Sequence, residues 1–424
     1  MNNIQLKIKN RDIGINERLV ISQFLKQKLN KIIKNKDNMV CINDYGDINL
    51  LNFFKDKQKI GSIGKYGDVY KLSVPISNIN IDISIKIVPL SYQSKVNIYN
   101  TKYPIWREIK ALELVSNLIK KRICPNVPLL YDFYICNYCN YENPEIDNQK
   151  NKTCVLILNE LSDTDLRRWI LLKSKQTLNV NYIVNMWYNL FFQIFSGLYS
   201  IFKYYQLIHN DLHWGNILVS NHKKGGYWIY EINKIKFYIP NLGFIMKLWD
   251  FGKSNSPIYF KNTKTDIHVY DTNNTHTYRY DWINSDVEKI THIVEWIQNT
   301  YLITNKDIIP HSIIQFIHKI RQNKEFDILK IFLKNFRRYL NNQIGKSTTQ
   351  IGIQIDDISD ISVGDIVIYQ KKHALVIDIF NFNYILITNL LTYDDIQVNF
   401  KYVQKHTKQI ESILTDKIIG YFRM

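Results

Sequence analysis

The stretch Leu207-Ile208-His209-Asn210-Asp211-Leu212-His213-Trp214-Gly215-Asn216-Ile217-Leu218-Val219 constrains this chain more than any other. A carboxylate and an amide five positions apart, between two apolar runs, can present one oxygen to a substrate hydroxyl and another to a metal. Further on, Met246-Lys247-Leu248-Trp249-Asp250-Phe251-Gly252 sets a second carboxylate at a strand end before a glycine. That is a chelating turn suited to a hard cation.

Upstream, Ile60-Gly61-Ser62-Ile63-Gly64-Lys65-Tyr66-Gly67-Asp68-Val69 places glycines in a β-turn-β setting. Without a Cβ, backbone N–H groups there can approach phosphate oxygens, although an ordinary hairpin turn gives the same pattern. The next strand ends Ile83-Ser84-Ile85-Lys86, and a lysine in an apolar β-run needs an anionic partner if it points inward. Glu108, on the helix that follows, is available. Lys86 at a water-facing strand edge and Glu108 on a solvated helix face are the simpler alternatives. The order in which all these features occur, rather than any one of them, carries the weight.

The chain has 424 residues, about three times a ~150-residue domain. One large catalytic domain plus a small module is therefore expected. With 46% hydrophobic and 22% charged residues, a disordered chain is excluded. The net charge of +17 favours an anionic partner such as nucleotide, nucleic acid or acidic protein. Alanine occurs only at Ala111 and Ala374 while Ile, Asn, Lys and Tyr abound, so part of that charge reflects compositional bias. Five cysteines are too few for a disulfide scaffold, and the amino terminus lacks a signal-like apolar core. A reducing, cytoplasmic setting is expected. No apolar run reaches ~18 residues, the nearest, Trp187 to Phe202, being interrupted by Asn189, Gln193 and Ser196, so no membrane association is expected.

Residues 1–55 read as a basic extension with one helix, where Leu19, Ile21, Phe24, Leu25 and Leu29 recur at helical spacing. Its Lys26, Lys28, Lys31, Lys34 and Lys36 could touch nucleic acid, a solvated face being the simpler reading. Strands are predicted at 68–74, 79–89, 129–135 and 154–159, with a helix over 105–121. Beyond Leu161 the pattern is helical (165–175, 182–205, 286–300 and between 308 and 340), with an extended loop over 254–280. After a linker at 345–350, closely spaced strands at 365–369, 374–380, 384–389 and 396–402 predict a small SH3-like β-barrel over 351–424.

These motifs, in this order, resemble the eukaryotic-type protein kinase superfamily over residues from about 60 to 340. The resemblance implies an α+β, two-lobed kinase-like domain over 56–345, its lobes meeting near residue 160, with ATP between them. It implies that Ser62, Gly64, Gly67 and Val69 belong to the phosphate-covering loop, Ser62 standing where the family's first glycine does. Lys86 would hold the α/β-phosphates, paired with Glu108. Asn159-Glu160-Leu161-Ser162 resembles the segment joining the lobes, so the backbone at Glu160 and Ser162 would meet adenine; Asp165 would reach ribose, and Leu218 would complete the nucleotide set. Asp211 matches the catalytic base and Asn216 and Asp250 the Mg²⁺ ligands, with Asp286 bracing the catalytic loop and His209 packing under Asp250-Phe251-Gly252.

The departures matter. Asn210 replaces an arginine that, in many kinases, meets a phosphorylated activation loop, so Ser254, Ser256, Thr263 and Thr265 need no phosphate for activity. His213-Trp214-Gly215 replaces Lys-Pro-Glu, and no Ala-Pro-Glu follows Gly252. This form resembles haspin-like kinases and small-molecule phosphotransferases, and the composition resembles kinase-like proteins of giant DNA viruses. The expected activity is ATP- and Mg²⁺-dependent phosphotransfer, of serine/threonine protein kinase type, by a monomer acting on protein in the host cytoplasm or virion. Small-molecule phosphotransfer and a nucleotide-binding pseudokinase scaffold are the alternatives. Cys136 and Cys139, with Cys124 and Cys154, could supply zinc thiolates, reduced thiols beside a hairpin being the simpler reading.

Overall fold

The computed structural model describes residues 15–32, 41–42, 57–60, 67–76, 79–136, 153–176, 178, 180–224, 226–260, 277–300, 303, 308–322, 331–332, 335–336, 339–340, 352–354, 357–361, 366–379, 383–389, 395–406 and 418–424. Helix α1 (Ile15–Ile32) precedes a sheet of β1 (Cys41–Ile42), β2 (Gln58–Lys59), β3 (Asp68–Ile76), β4 (Ile79–Pro89), β5 (Leu130–Cys136) and β6 (Cys154–Glu160), in the spatial order β1-β5-β6-β4-β3-β2. Its pairs are antiparallel except β1 with β5. Strand β4 lies between β3 and β6, and Ile83 through Ile87 is buried on both faces. That is why the run reads as almost continuously apolar and why its one charge, Lys86, must be paired. Between β4 and β5 come α2 (Tyr92–Val96) and α3 (Pro104–Lys120). Proline opens α3, and Ile105, Ile109, Leu112, Val115 and Leu118 line its buried face.

The second lobe contains β7 (Thr164–Asp165), α4 (Leu166–Ser174), α5 (Val180–Tyr205), β8 (Ile217–Asn221), the hairpin β9 (Tyr227–Ile232) and β10 (Ile235–Pro240), β11 (Phe244–Leu248), α6 (Thr277–Asn299) and α7 (His311–Gln322). Helix α5 is buried nearly all round, which explains its long apolar run. Its polar interruptions are internal bonds. Asn189 Nδ2 donates to the Pro240 carbonyl at 2.7 Å, and Gln193 Oε1 accepts from Asn126 Nδ2 (3.0 Å) and the Met246 amide (2.9 Å). No helix among the described residues is long and apolar enough to cross a membrane. Helix α6 begins at Thr277, earlier than predicted, so its first residues belong to what reads in sequence as the extended loop.

The carboxy-terminal strands form an antiparallel sheet of β12 (Gly352–Gln354), β13 (Ile366–Tyr369), β14 (Lys372–Ile379), β15 (Tyr384–Asn389), β16 (Asp395–Asn399) and β17 (Gln404–His406), ordered β12-β17-β13-β14-β15-β16. It has its own core around Val367, Val376, Ile385, Ile387 and Val403. The expected closed barrel is not found: among the described residues β12 and β16 end the sheet without pairing.

Both flanks of the kinase-like region enter its main core. From α1, Ile21 and Leu25 join that core. Arg18, on the same face, is 2% exposed; it donates to the carbonyls of Pro125 (3.1 Å) and Val127 (2.9 Å) and to Glu160 Oε2 (2.7 Å). Lys247 of β11 holds the other Glu160 oxygen at 2.9 Å. Lys28, considered above as a nucleic-acid contact, donates to the Pro75 carbonyl. At the other end, β18 (Ile418–Arg423) pairs in parallel with β9, and Phe422 packs 5.9 Å from the Trp228 ring and 5.0 Å from Tyr230.

Three stability predictions arise here. Arg18→Ala leaves Glu160 short of a buried partner and should cost about 3 kcal/mol in denaturant melts, the usual penalty for breaking a buried ion pair. Phe422→Ala should cost about 3 kcal/mol, as large-to-small core changes do. A cut at residue 350 removes β18, so that shortened chain should melt lower than the full chain. Melting curves unchanged in these variants would show that α1 and β18 rest on the lobes without holding them.

Candidate active site

The cleft between the lobes is organised by one ammonium. Lys86 Nζ lies 2.7 Å from Glu108 Oε1 and 3.3 Å from Asp250 Oδ1. Burial alone would pull the Lys86 ammonium down, but the Glu108 and Asp250 carboxylates outweigh it and hold its pKa above the ordinary lysine value. Burial likewise pushes the Asp250 carboxyl up, and Lys86 brings it below the usual range. Two carboxylates thus share one cation, leaving a surplus negative charge. The neighbouring Arg107 donates from Nε and Nη2 to the Gly252 carbonyl at 3.3 and 3.2 Å, so α3 grips the turn after Asp250 through two successive residues.

Asp250 has φ 62°, a left-handed conformation tolerated best by Gly, Asn and Asp, and its carboxylate accepts from the Gly252 amide at 3.4 Å. Beneath it His209 is fully buried: its Nε2 meets the Trp249 carbonyl at 2.8 Å, and its Nδ1 accepts from the Asp211 amide at 3.3 Å. Those partners fix the tautomer with the proton on Nε2. The ring lies 5.0 Å from Phe251. His209 therefore packs and orients, as expected.

Asp286 on α6 is buried and accepts the amides of His209 (2.6 Å) and Asn210 (3.0 Å) on its two oxygens. Lys289, one turn on, donates to the Asn210 carbonyl. This clamp suits Asn210, whose φ of 61° is again left-handed. The next residue, Asp211, then faces the cleft, partly exposed. Asn216 Nδ2 donates to the Asp211 carbonyl at 2.8 Å, which closes the loop and leaves the Asn216 oxygen as an acceptor. Lys253, directly after Asp250-Phe251-Gly252, reaches Asp211 Oδ1 at 2.8 Å. His213 Nδ1 accepts the Gly215 amide at 3.0 Å, and burial first, against the pull of Asp211, lowers its pKa below the ordinary imidazole value. Trp214 packs against Trp296 and under Arg167.

Ser62 and Gly64 lie outside the described residues. Gly67 is required by close approach, since a Cβ there would stand 2.3 Å from the Ile87 carbonyl oxygen. Val69 lies opposite Lys86 in the β3–β4 register. In the connecting segment, the Glu160 side chain is committed to Arg18 and Lys247 and its amide to the Leu129 carbonyl. Ser162 is bonded to Ser220 at 3.1 Å. Asp165 caps α4 by accepting the Arg168 amide at 2.8 Å, and Leu218 sits opposite it on β8. Zinc is not supported: among the described residues no group of three or more His, Cys, Asp or Glu could hold a metal. Cys154 is disulfide-bonded, against the expected reduced thiol, and Cys124 is free and buried. The Cys139 residue and the Cys136 side chain lie outside the described residues.

Sequence reading missed Arg18, Lys247 and Lys253, though each left a signal. Arg18, Ile21 and Leu25 fall on one helical face, so a buried charge is legible there. Lys247 interrupts an apolar strand just as Lys86 does. Lys253 directly follows the metal-type turn.

The family described as "Haspin like kinase domain" matches residues 7–331. A protein of Invertebrate iridescent virus 6, named as a probable serine/threonine-protein kinase, is 26% identical over 242 residues, covering 56% of this chain and 42% of that protein. An uncharacterized protein of Acanthamoeba polyphaga mimivirus is 23% identical over 380 residues, covering 68% of this chain and 49% of that protein. The chain spans about half the length of these relatives. With a match over most of its length and the lysine, aspartate and asparagine positions converging in one cleft, the chain belongs to the haspin-like kinase family.

Proposed function

We propose that this chain is an ATP- and Mg²⁺-dependent protein kinase transferring the γ-phosphoryl group to serine or threonine hydroxyls. The observation that carries the reading is the convergence of Lys86, Asp250, Asp211 and Asn216, joined by the 3.3 Å Lys86–Asp250 and 2.8 Å Asn216–Asp211 contacts. Asp211 would accept the hydrogen bond, and then the proton, of the acceptor hydroxyl. That hydroxyl oxygen forms its bond to the γ-phosphorus as the bond to the ADP oxygen breaks. Lys86, already charged and fixed by Glu108, would hold the α/β-phosphates.

The donor set fits a hard cation: the Asn216 amide oxygen and the Asp250 carboxylate are oxygen ligands beside a surplus negative charge. When bound there, Mg²⁺ would neutralise phosphate charge as it develops. Lys253, 2.8 Å from Asp211, would supply a cation at the acceptor end. A pseudokinase reading is disfavoured because a scaffold has no need of the base, the lysine and both oxygen ligands together. The separate core of the β12–β17 sheet supports its reading as a small β-rich recruitment module.

Asp211→Asn should abolish phosphotransfer while nucleotide affinity stays within about two-fold, because the base acts on the acceptor and not on ATP. Turnover would be followed with labelled ATP and Mg²⁺ on mixed protein and small-molecule acceptors. Label on small molecules alone would replace the protein-kinase reading; wild-type turnover in the variant would remove Asp211 from its role.

Activity should not depend on phosphorylation of the segment after Gly252. No arginine adjoins Asp211 in the sequence, and Asn210 is held by Asp286, Lys289 and its own bond to the Lys253 carbonyl. Ser254 and Ser256 are themselves buried, donating to the carbonyls of Phe251 and Tyr205. Thr263 and Thr265 lie outside the described residues. Phosphatase-treated protein should therefore show its full rate from the first turnover. A lag relieved by autophosphorylation, or a ten-fold rate increase on phosphorylation, about 1.4 kcal/mol, would contradict this.

A further inference from the structure

A second cation stands at the mouth of the cleft beside the loop that carries Asp211. Arg167, the second residue of α4, is exposed, and its guanidinium lies 5.3 Å from the centre of the Trp214 ring. Among the described residues it forms no ion pair with a carboxylate. Its place follows from the local fold. Asp165 lies opposite Leu218 in the β7–β8 register and caps α4, so the first turn of α4 packs on the 3-10 turn Trp214–Asn216. Trp214 leans in turn on Trp296 of α6, with ring centres 6.4 Å apart, and the His213 ring lies 6.5 Å from the same indole. The Gly215 amide fixes His213 through Nδ1 at 3.0 Å. These three half-buried rings make an aromatic ledge next to Asp211, and Arg167 rests on it.

Stacking on an indole holds a guanidinium flat and leaves its in-plane N–H groups free at the edge. That is the geometry in which arginine takes a carboxylate through two parallel bonds. The surrounding charges do not supply one. Leu212 to Gly215 contains no acid. Asp163, Asp165 and Asp286 spend oxygens on backbone amides of Asn221, Arg168, His209 and Asn210. Glu288 and Glu295 of α6 lie 3.8 and 2.7 Å from His292. Lys253, with half of its side chain exposed, adds a further positive charge 2.8 Å from Asp211. An acceptor approaching Asp211 therefore meets arginine and lysine, and a basic flank is repelled where an acidic one is attracted.

We propose that the protein substrate is acidic beside its acceptor hydroxyl, and that Arg167 is the specificity-determining residue that binds the flanking aspartate or glutamate. This rests on the protein-kinase reading above and names the substrate class for it. Trp214 follows Asp211 closely enough that the loop spans at most about 10 Å between them, which an extended peptide covers in about three residues. The acid that Arg167 reads thus lies within about three residues of the serine or threonine.

The test uses peptides with a single serine that differ only in carrying Asp, Asn or Lys at one flanking position at a time. The full chain would phosphorylate them with labelled ATP and Mg²⁺, and kcat/KM would be compared. We expect the best Asp peptide to exceed its Asn counterpart about ten-fold, the scale of a hydrogen bond to a charged group, through KM more than kcat. The matching Lys peptide should fall below both, and added salt should narrow the differences. In Arg167→Gln the Asp to Asn ratio at that position should drop to about two or less, and in Arg167→Glu the Lys peptide should overtake the Asp peptide. Peptides used equally whatever their flanking charge, or used best with Lys, would overturn the assignment while leaving the kinase reading intact, and this comparison needs no variant to fold. An unchanged ratio in Arg167→Gln would overturn it equally. Absence of label on every peptide would remove both this assignment and the protein-kinase reading.

Discussion

One ammonium shared between two carboxylates is the contact on which the rest of the cleft depends. Lys86 comes from the first lobe's central strand, Glu108 from α3 and Asp250 from the strand end of the second lobe, so their contacts at 2.7 and 3.3 Å tie three elements distant in sequence. Each charge is costly to bury alone. The arrangement is therefore self-consistent only when all three are present, and α3 must lie against the turn after Asp250. Arg107 adds the same demand through the Gly252 carbonyl. A helix that supplies both an acid to the lysine and a donor to the turn cannot swing away without stranding two buried charges.

The loop around Asp211 obeys a different logic, in which backbone groups and not side chains are held. Asp286 takes two successive amides, Lys289 takes a carbonyl and Asn216 takes another. With its neighbours fixed this way, Asp211 can remain partly exposed and reactive while its main chain is rigid. Fixing position through the backbone leaves the carboxylate's own lone pairs for Lys253 and, on the proposed function, for an acceptor hydroxyl. Preorganisation of this kind is what phosphoryl transfer asks of a protein, whose task there is positioning and charge neutralisation.

Much of this was legible in the sequence where chemistry and periodicity coincide. Strand β4 was predicted with its observed ends, and α3 within one residue, because a proline start and an unbroken apolar face mark it. The Lys86–Glu108 pair and the bracing role of Asp286 followed from motif order and resemblance. What escaped notice depends on distant partners. The β9–β10 hairpin turns at Asn233-Lys234, both at positive φ, without the glycine that usually advertises such a turn. Strand β18 is defined only by its partner β9, since a parallel edge pairing has no local sequence signature. Asn159 read as a hinge residue because its chain neighbours did; that its amide is buried without a partner among the described residues is visible only in the fold.

The two faces of β6 carry opposite charge balances. On the cleft face Lys86 meets two carboxylates, a local excess of negative charge that a divalent cation would compensate. On the other face Glu160 meets Arg18 and Lys247, a local excess of positive charge. Burial pushes the Glu160 carboxyl up, but the two cations bring it down to about 2, while burial and Arg18 lower Lys247 to about 8 despite the pull of Glu160. The Glu160 contribution to stability is accordingly full above its unfolded value of about 4.3 and disappears only as pH falls through the folded value. Lys247 acts in the opposite sense, resisting its own charge below about pH 8. Among the described residues Glu160 is thus the carboxylate that pairs directly with both buried cations behind the lobe connection. Helix α1, by supplying Arg18, makes the amino-terminal segment a structural partner of β6, whose last residue is Glu160.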